Sequence, residues 1–201
     1  TAVPMELFCP DATVENAYLD RPIPVWAEET ISQTSLTAFI LSGLDLDPGD
    51  KVLELKAASG YQTAILAQMG AKVYAIETDP ELIKIVGSIF KQISLPNLHY
   101  KAGNVFAGWP EAGPFDAILL DVDNGVDSFT LASNSRLYSP KGLAAARRSL
   151  RSGGALAIWS VGIERTFERT FHAAGFAAST HRVRGRGKRD GHYSILVGRK
   201  G

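Results

Sequence analysis

Chemistry could sit in three polar stretches, each of which follows an apolar run. The first is Glu54-Leu55-Lys56-Ala57-Ala58-Ser59-Gly60-Tyr61; the second is reached at Glu77, just past Ala75-Ile76; the third is Asp121-Val122-Asp123-Asn124-Gly125, after Ala117-Ile118-Leu119-Leu120. A carboxylate at the place of Glu77 can accept hydrogen bonds from both hydroxyls of a ribose. That is a nucleoside-binding signature only in combination with a glycine loop after the preceding strand. Taken alone, Glu77 serves equally well as a cap for the helix opened by Asp79-Pro80-Glu81. Asp121, Asp123 and Asp127 carry the oxygen ligands of a hard cation, but further ligands at regular spacing are missing, so no metal is expected. His99, His172, His181 and His192 stand at no metal-ligand spacing, and Cys9 has no basic or histidine neighbour to activate it. Neither a serine triad nor a phosphate-binding loop is present.

Ligands of an open parallel sheet bind beyond the carboxyl ends of its strands, so each stretch needs a strand directly before it. The pattern supplies them. Residues 35–44 read as a helix and Asp47-Pro48-Gly49-Asp50 as a turn, followed by a buried strand at 51–55. A helix at 62–69 ends on Gly70, a second strand covers 72–77, and Asp79-Pro80-Glu81 starts the next helix with an acidic cap and a proline in its first turn. Strands follow at 97–101 and 115–121, the latter apolar throughout its centre as a buried parallel strand is. Ser139-Pro140 opens a helix expected to end at Gly153-Gly154, with a strand at 155–160 and a helix at 164–174. Segments 176–183 and 192–199 close the chain as a hairpin. Strands alternating with helices predict an α/β, doubly wound, mostly parallel Rossmann-like sheet with an antiparallel C-terminal hairpin.

The chain has 201 residues, 45% of them hydrophobic and 21% charged, which is an ordinary globular mix and excludes disordered and collagen-like classes. A single domain over 1–201 is expected, with 1–34 as an N-terminal segment and 35–201 as the core. The lone Cys9 cannot form an internal disulfide, and no apolar run reaches the ~20 residues that span a bilayer, so a cytoplasmic protein is expected. The first residue is Thr1, so removal of an upstream segment is one expectation. Zero net charge conceals an asymmetry: residues 1–100 carry 13 acidic and 6 basic side chains, residues 101–201 carry 8 and 15. Five Lys/Arg fall within positions 182–189. With no aromatic interleaved, this run reads as a solvated hairpin tip rather than a nucleic-acid site.

Four ordered stretches carry a resemblance. They are Ala17-Tyr18-Leu19-Asp20-Arg21-Pro22-Ile23-Pro24; Thr30-Ile31-Ser32-Gln33; Leu46 through Leu55 with Ser59-Gly60-Tyr61-Gln62-Thr63-Ala64 and Met69-Gly70-Ala71; and Gly108-Trp109-Pro110-Glu111 with Pro114-Phe115-Asp116. Residues 4–115 thereby resemble the protein-L-isoaspartate O-methyltransferases, S-adenosylmethionine-dependent enzymes that repair damaged aspartyl residues. Residues 115–198 are more similar to the C-terminal half of spermidine-synthase-like proteins, through Ile118 to Gly125, Arg136 to Leu143 and Gly153 to Ser160. Both families use the class I methyltransferase sheet.

The resemblance implies S-adenosylmethionine as cofactor, held by Glu54, Lys56, Ser59, Gly60, Glu77, Asn104, Val105 and Asp121. It implies a protein or peptide with an isoaspartyl residue as substrate, met by Thr30, Ser32 and Asp121. The alternative role for Ser32 is an N-cap for the helix at Ser35; for Asp121 it is a turn residue. The departures fall on the loops. Where the family has glycine, small residue, glycine, this chain has Lys56-Ala57-Ala58, and a Cβ at a positive φ costs roughly 1 kcal/mol. Lys56 either crowds the methionine moiety or pairs with its carboxylate. The family's acidic adenine contact is Asn104 here, and its glycine-containing loop before Thr30 is Trp26-Ala27-Glu28-Glu29, where Trp26 could gate or fill the pocket. The expected function is methyl transfer to a carboxylate of the isoaspartyl-repair type. One alternative is a catalytically silent binding protein, argued from the altered loop. The other is a polyamine aminopropyltransferase, with Glu28, Glu29, Asp121, Asp123 and Asp127 as acids for a cationic amine.

Overall fold

The computed structural model describes residues 2–26, 29–120, 135–160, 165–184 and 192–201. The N-terminal segment holds a 3-10 turn at Met5–Phe8, a one-turn helix α1 (Val14–Ala17) and a two-stranded antiparallel ribbon, β1 (Ile23–Pro24) with β2 (Thr30–Ile31). After α2 (Thr34–Leu44) come β3 (Lys51–Leu55), α3 (Tyr61–Gln68), β4 (Lys72–Glu77), α4 (Pro80–Ile93), β5 (Leu98–Ala102) and β6 (Phe115–Leu120). The chain closes with α5 (Ser135–Tyr138), α6 (Pro140–Ser149), β7 (Leu150–Ser160), α7 (Arg165–Ala173), β8 (Phe176–Arg184) and β9 (His192–Lys200).

The main sheet has seven strands in the order β5-β4-β3-β6-β7-β9-β8. Strand β3 lies parallel to β4 on one side and to β6 on the other, with Leu55 level with both Ile76 and Leu120. The strand order therefore reverses at the carboxyl end of β3, the place where an open α/β sheet binds its ligand. Alternation along β3 and β6 separates two cores. Leu53, Leu55, Ile118 and Leu120 pack with Phe115 and Phe171 on one face; Val52, Ala117 and Leu119 pack with Leu36 and Ile40 of α2 on the other. A third cluster joins Met5, Phe8, Cys9, Ala17 and Ile31 to Tyr61, Val86 and Phe90, and so fixes the N-terminal segment on α3 and α4.

The expected sheet, its antiparallel end included, is the one observed, with β9 placed between β7 and β8. One boundary differs by more than a residue or two. The helix after Ser139-Pro140 ends at Ser149, not at Gly153-Gly154, and β7 begins five residues before the expected start. Buried Leu150 pairs with Phe115 in the sheet, and the register shifts before Ala117 meets Ala155. Gly153, at φ +76, is used inside this irregularity and not as a helix stop.

Candidate functional site

The loop between β3 and α3 has a glycine-like backbone without the glycines. Lys56, Ala58 and Gly60 all take positive φ, at +64°, +46° and +77°. Neighbouring groups impose that path. The N–H groups of Lys56 and Ala57 both donate to the carbonyl of Ile76, at 2.9 and 3.2 Å, and Gly60 N–H closes back on Ala57 at 2.8 Å. Ser59 Oγ accepts from the Tyr61 N–H at 3.3 Å and supports the first turn of α3. At Gly60 the backbone runs against α4: a Cβ there would sit 2.3 Å from Val86 Cγ1 and 2.8 Å from Phe90 Cζ. The close approach at position 60 tolerates only glycine, whereas Lys56 and Ala58 bear their strain.

Glu77 is fully buried at the end of β4, and its carboxylate is engaged by the protein itself. Oε2 accepts from the Ala58 N–H at 2.9 Å; Oε1 accepts from the N–H groups of Thr78 and Asp79, at 2.6 and 3.0 Å, and from the Thr78 hydroxyl at 3.1 Å. Capping of α4 falls instead to Asp79, whose Oδ1 accepts from Glu81 and Leu82. Glu77 thus shapes the turn on which a nucleoside would rest.

Across this loop lies the segment carrying Thr30 and Ser32. Ser32 does not cap α2. The cap position is Gln33, whose side chain makes no capping bond, and the acceptor for the Ser35 N–H is Asp20 Oδ1 at 3.0 Å. Gln33 reaches back to the Asp20 carbonyl at 3.4 Å. Freed from capping, Ser32 lines a small cavity with Thr30, Thr37, Glu54, Lys56, Ser59 and Gln62. Glu54 is buried beneath it and accepts from Gln62 Nε2 at 3.3 Å. The cavity measures about 30 Å³, room for about one water molecule. Beside it, Lys56 Nζ lies 2.7 Å from Glu29 Oε1, and the second oxygen of Glu29 is buried without a hydrogen-bond partner among the described residues.

Asn104 is exposed just past β5 and uses Oδ1 to accept from the Phe106 N–H at 2.9 Å, an Asx turn that fixes the bend. Val105 is buried and lines a separate cavity of about 310 Å³ with Leu55, Phe106, Leu120 and Arg136. Trp26 packs into the N-terminal cluster and does not line the cavity beside Ser32. Asp121, Asp123, Asp127 and Glu28 lie outside the described residues, as does the basic turn at 185–191. Of the five acids expected to attract a cationic amine, Glu29 is described, and Lys56 neutralises it. No local pattern marks Asp20 as a remote cap, because its partner lies 15 residues away.

The donor set suits a sulfonium nucleoside with an amino-acid tail. The loop keeps the positive-φ path that brings backbone close to a ligand, and Lys56 offers a cation to a carboxylate. Among the described residues no His/Cys/Asp/Glu cluster could hold a metal, and no helix is long and apolar enough to cross a membrane.

Comparison with known proteins agrees. The sequence model of a family described as protein-L-isoaspartate(D-aspartate) O-methyltransferase matches residues 1–126. The protein-L-isoaspartate O-methyltransferase of Gloeobacter violaceus is 38% identical over 146 residues, which is 70% of this chain and 70% of that protein. Its counterpart in Methylorubrum extorquens is 44% identical over 119 residues, 59% of this chain and 52% of that protein. A solved protein-L-isoaspartate O-methyltransferase superposes with a TM-score of 0.61 at 25% identity, covering 78% of this chain and 47% of that one. The chain therefore spans between about half and seven tenths of the length of these relatives.

Proposed function

Because the chain belongs to the protein-L-isoaspartate(D-aspartate) O-methyltransferase family, we propose that it transfers a methyl group from S-adenosylmethionine to the carboxylate of an isoaspartyl residue in a protein or peptide. One observation carries the reading: Thr30 and Ser32 on one side and Lys56, Ser59 and Gln62 on the other line a single cavity at the strand-order reversal. An acceptor carboxylate is already ionised at neutral pH, so the protein needs no general base. Its task is to hold and orient two reactants, the proximity effect. When bound, the cofactor supplies an electrophilic methyl group on a sulfonium.

The residues divide that task. The Ser32 and Thr30 hydroxyls donate to the acceptor carboxylate and set its direction. Glu77 keeps the turn from Ala58 to Asp79 in shape beneath the ribose, and its Oε2, which has the Ala58 N–H as partner, retains lone-pair capacity for a hydroxyl. Ser59 and Gly60 hold the start of α3 open for the amino-acid tail. Asn104 and Val105 form the edge and floor for adenine.

The experiment is methyl transfer from labelled S-adenosylmethionine to an isoaspartyl peptide, with the normal aspartyl peptide as control and base-labile ester as the readout. Ester on the isoaspartyl peptide alone is the expected result. Nucleoside binding without ester on either peptide would instead mark a binding protein, and aminopropyl transfer from the decarboxylated cofactor to a diamine would move the reaction to polyamines.

A further inference from the structure

The ion pair between Lys56 and Glu29 joins the two walls of the site across 27 positions of sequence. Three features set it apart from a surface pair. Lys56 and Glu29 are only 24% and 12% exposed, so the charges are partly desolvated and their contact is not an incidental one. Lys56 holds a left-handed backbone that would suit glycine, and a side chain kept under such strain points to a use for that side chain. The pair is also incomplete: Oε2 of Glu29 is buried without a hydrogen bond among the described residues, while the ammonium has donors beyond the one given to Oε1. A carboxylate able to engage that ammonium more fully would compete with Glu29 on favourable terms.

The neighbourhood supplies such a competitor. Lys56 lines the cavity at the end of β3, a space of about 30 Å³, while Glu29 holds its ammonium from outside that lining. Glu29 immediately precedes β2, so its position is tied to Thr30 and, two residues further on, to Ser32.

We propose that Lys56 is the binding residue for the α-carboxylate of the methyl donor, and that Glu29 is an internal stand-in for that carboxylate. Lys56 exchanges one carboxylate for the other as the donor enters. The exchange releases the segment bearing Thr30 and Ser32 from the cofactor loop and enlarges the cavity on the side where the acceptor must arrive. Specificity follows from the charge: a donor with its carboxylate is captured, and a decarboxylated one presents only an ammonium to Lys56 and is repelled. This inference rests on the cofactor reading above.

Calorimetric titration with S-adenosylhomocysteine and with decarboxylated S-adenosylmethionine tests it on wild type, Glu29→Gln, Lys56→Gly and Lys56→Arg, each checked for folding by near-UV circular dichroism. Removing the internal competitor should tighten S-adenosylhomocysteine by about tenfold or more in Glu29→Gln, and should leave the decarboxylated ligand unimproved or weaker. Lys56→Gly should weaken S-adenosylhomocysteine, although it relieves backbone strain, and Lys56→Arg should restore much of the affinity. Binding that emerges only in Glu29→Gln would also support the exchange. Unchanged or weaker affinity in Glu29→Gln, or tighter affinity in Lys56→Gly, would overturn the exchange and leave the cofactor reading standing. Silence from all four proteins with both ligands would remove the cofactor reading and the exchange together.

Discussion

The backbone N–H of Ala58 donates to Oε2 of Glu77 at 2.9 Å, so the acid at the end of β4 holds the loop that leaves β3. The same carboxylate collects the N–H groups of Thr78 and Asp79. A residue read from sequence as a ribose ligand is thus the acceptor that ties the loop after β3 to the turn after β4. Glu77→Ala should therefore cost stability as well as affinity, about 2–3 kcal/mol, since it takes the acceptor from three part-buried backbone donors, those of Ala58, Thr78 and Asp79. Glu77→Gln, which keeps one carbonyl oxygen, should cost less. Urea titration of the three proteins checks this. A Glu77→Ala variant as stable as wild type would return Glu77 to a purely ligand-facing role.

Positive φ at three alternate positions predicts opposite responses to size. Gly60→Ala places a Cβ 2.3 Å from Val86 at φ +77 and should destabilise by more than about 3 kcal/mol. Ala58→Gly, at φ +46, relieves a left-handed residue at roughly 1–2 kcal/mol and adds unfolded-state entropy of roughly 0.5–1 kcal/mol. The net is a small stabilisation. Differential scanning calorimetry should raise the midpoint of Ala58→Gly slightly and lower that of Gly60→Ala by many degrees; a lower midpoint for Ala58→Gly would mean the loop is not strained there.

Much of the architecture was legible because it depends on local patterns. The apolar run 117–120 could only be a buried strand, and Asp79-Pro80 caps α4 as its residue types require. The departure from glycine at 56 and 58 was equally visible, and the structure locates those residues on the same positive-φ path that made the departure costly. What stayed hidden depends on tertiary approach. Nothing near Lys56 in sequence announces Glu29, and nothing near Ser35 announces Asp20, because both partners arrive with the N-terminal segment when it packs on α3 and α4. The early start of β7 was hidden for a related reason: Leu150 is helix-compatible by propensity, and its pairing with Phe115 decides the matter.

Asp20 gives a third test. Its Oδ1 caps the Ser35 N–H at 3.0 Å, the role that local sequence assigns to Ser32. Asp20→Ala should lose about 1 kcal/mol of stability, the usual worth of a helix cap, and Asp20→Asn should retain most of it. Ser32→Ala should leave stability nearly unchanged while lowering methyl transfer to the isoaspartyl peptide. Thermal midpoints and transfer rates measured side by side separate the two residues; a stability loss for Ser32→Ala equal to that of Asp20→Ala would return the cap to Ser32.

Cys9 predicts a pH dependence. It is buried at 1% exposure beside Phe8 and Met5, and burial, with the nearby Glu6 charge adding to it, pushes its thiol from 9.0 up to about 11. The unfolded chain then loses this proton first as pH rises. Between about pH 9 and 11 the unfolded state binds fewer protons than the folded one, so stability falls with increasing pH across that window and the term levels off above it. Its full size is about 2–3 kcal/mol. Burial raises Tyr61 in the same direction, so the contribution of Cys9 must be isolated by difference. Urea midpoints of wild type and Cys9→Ala, followed from pH 8 to pH 11, should converge as the wild type loses its thiol term. At pH 8 the folded thiol should react with a disulfide reagent far more slowly than the unfolded chain, because the thiolate is the attacking species. Parallel midpoints across the range, or rapid reaction of the folded protein, would place the Cys9 thiol at the surface instead of in the cluster that fixes the N-terminal segment.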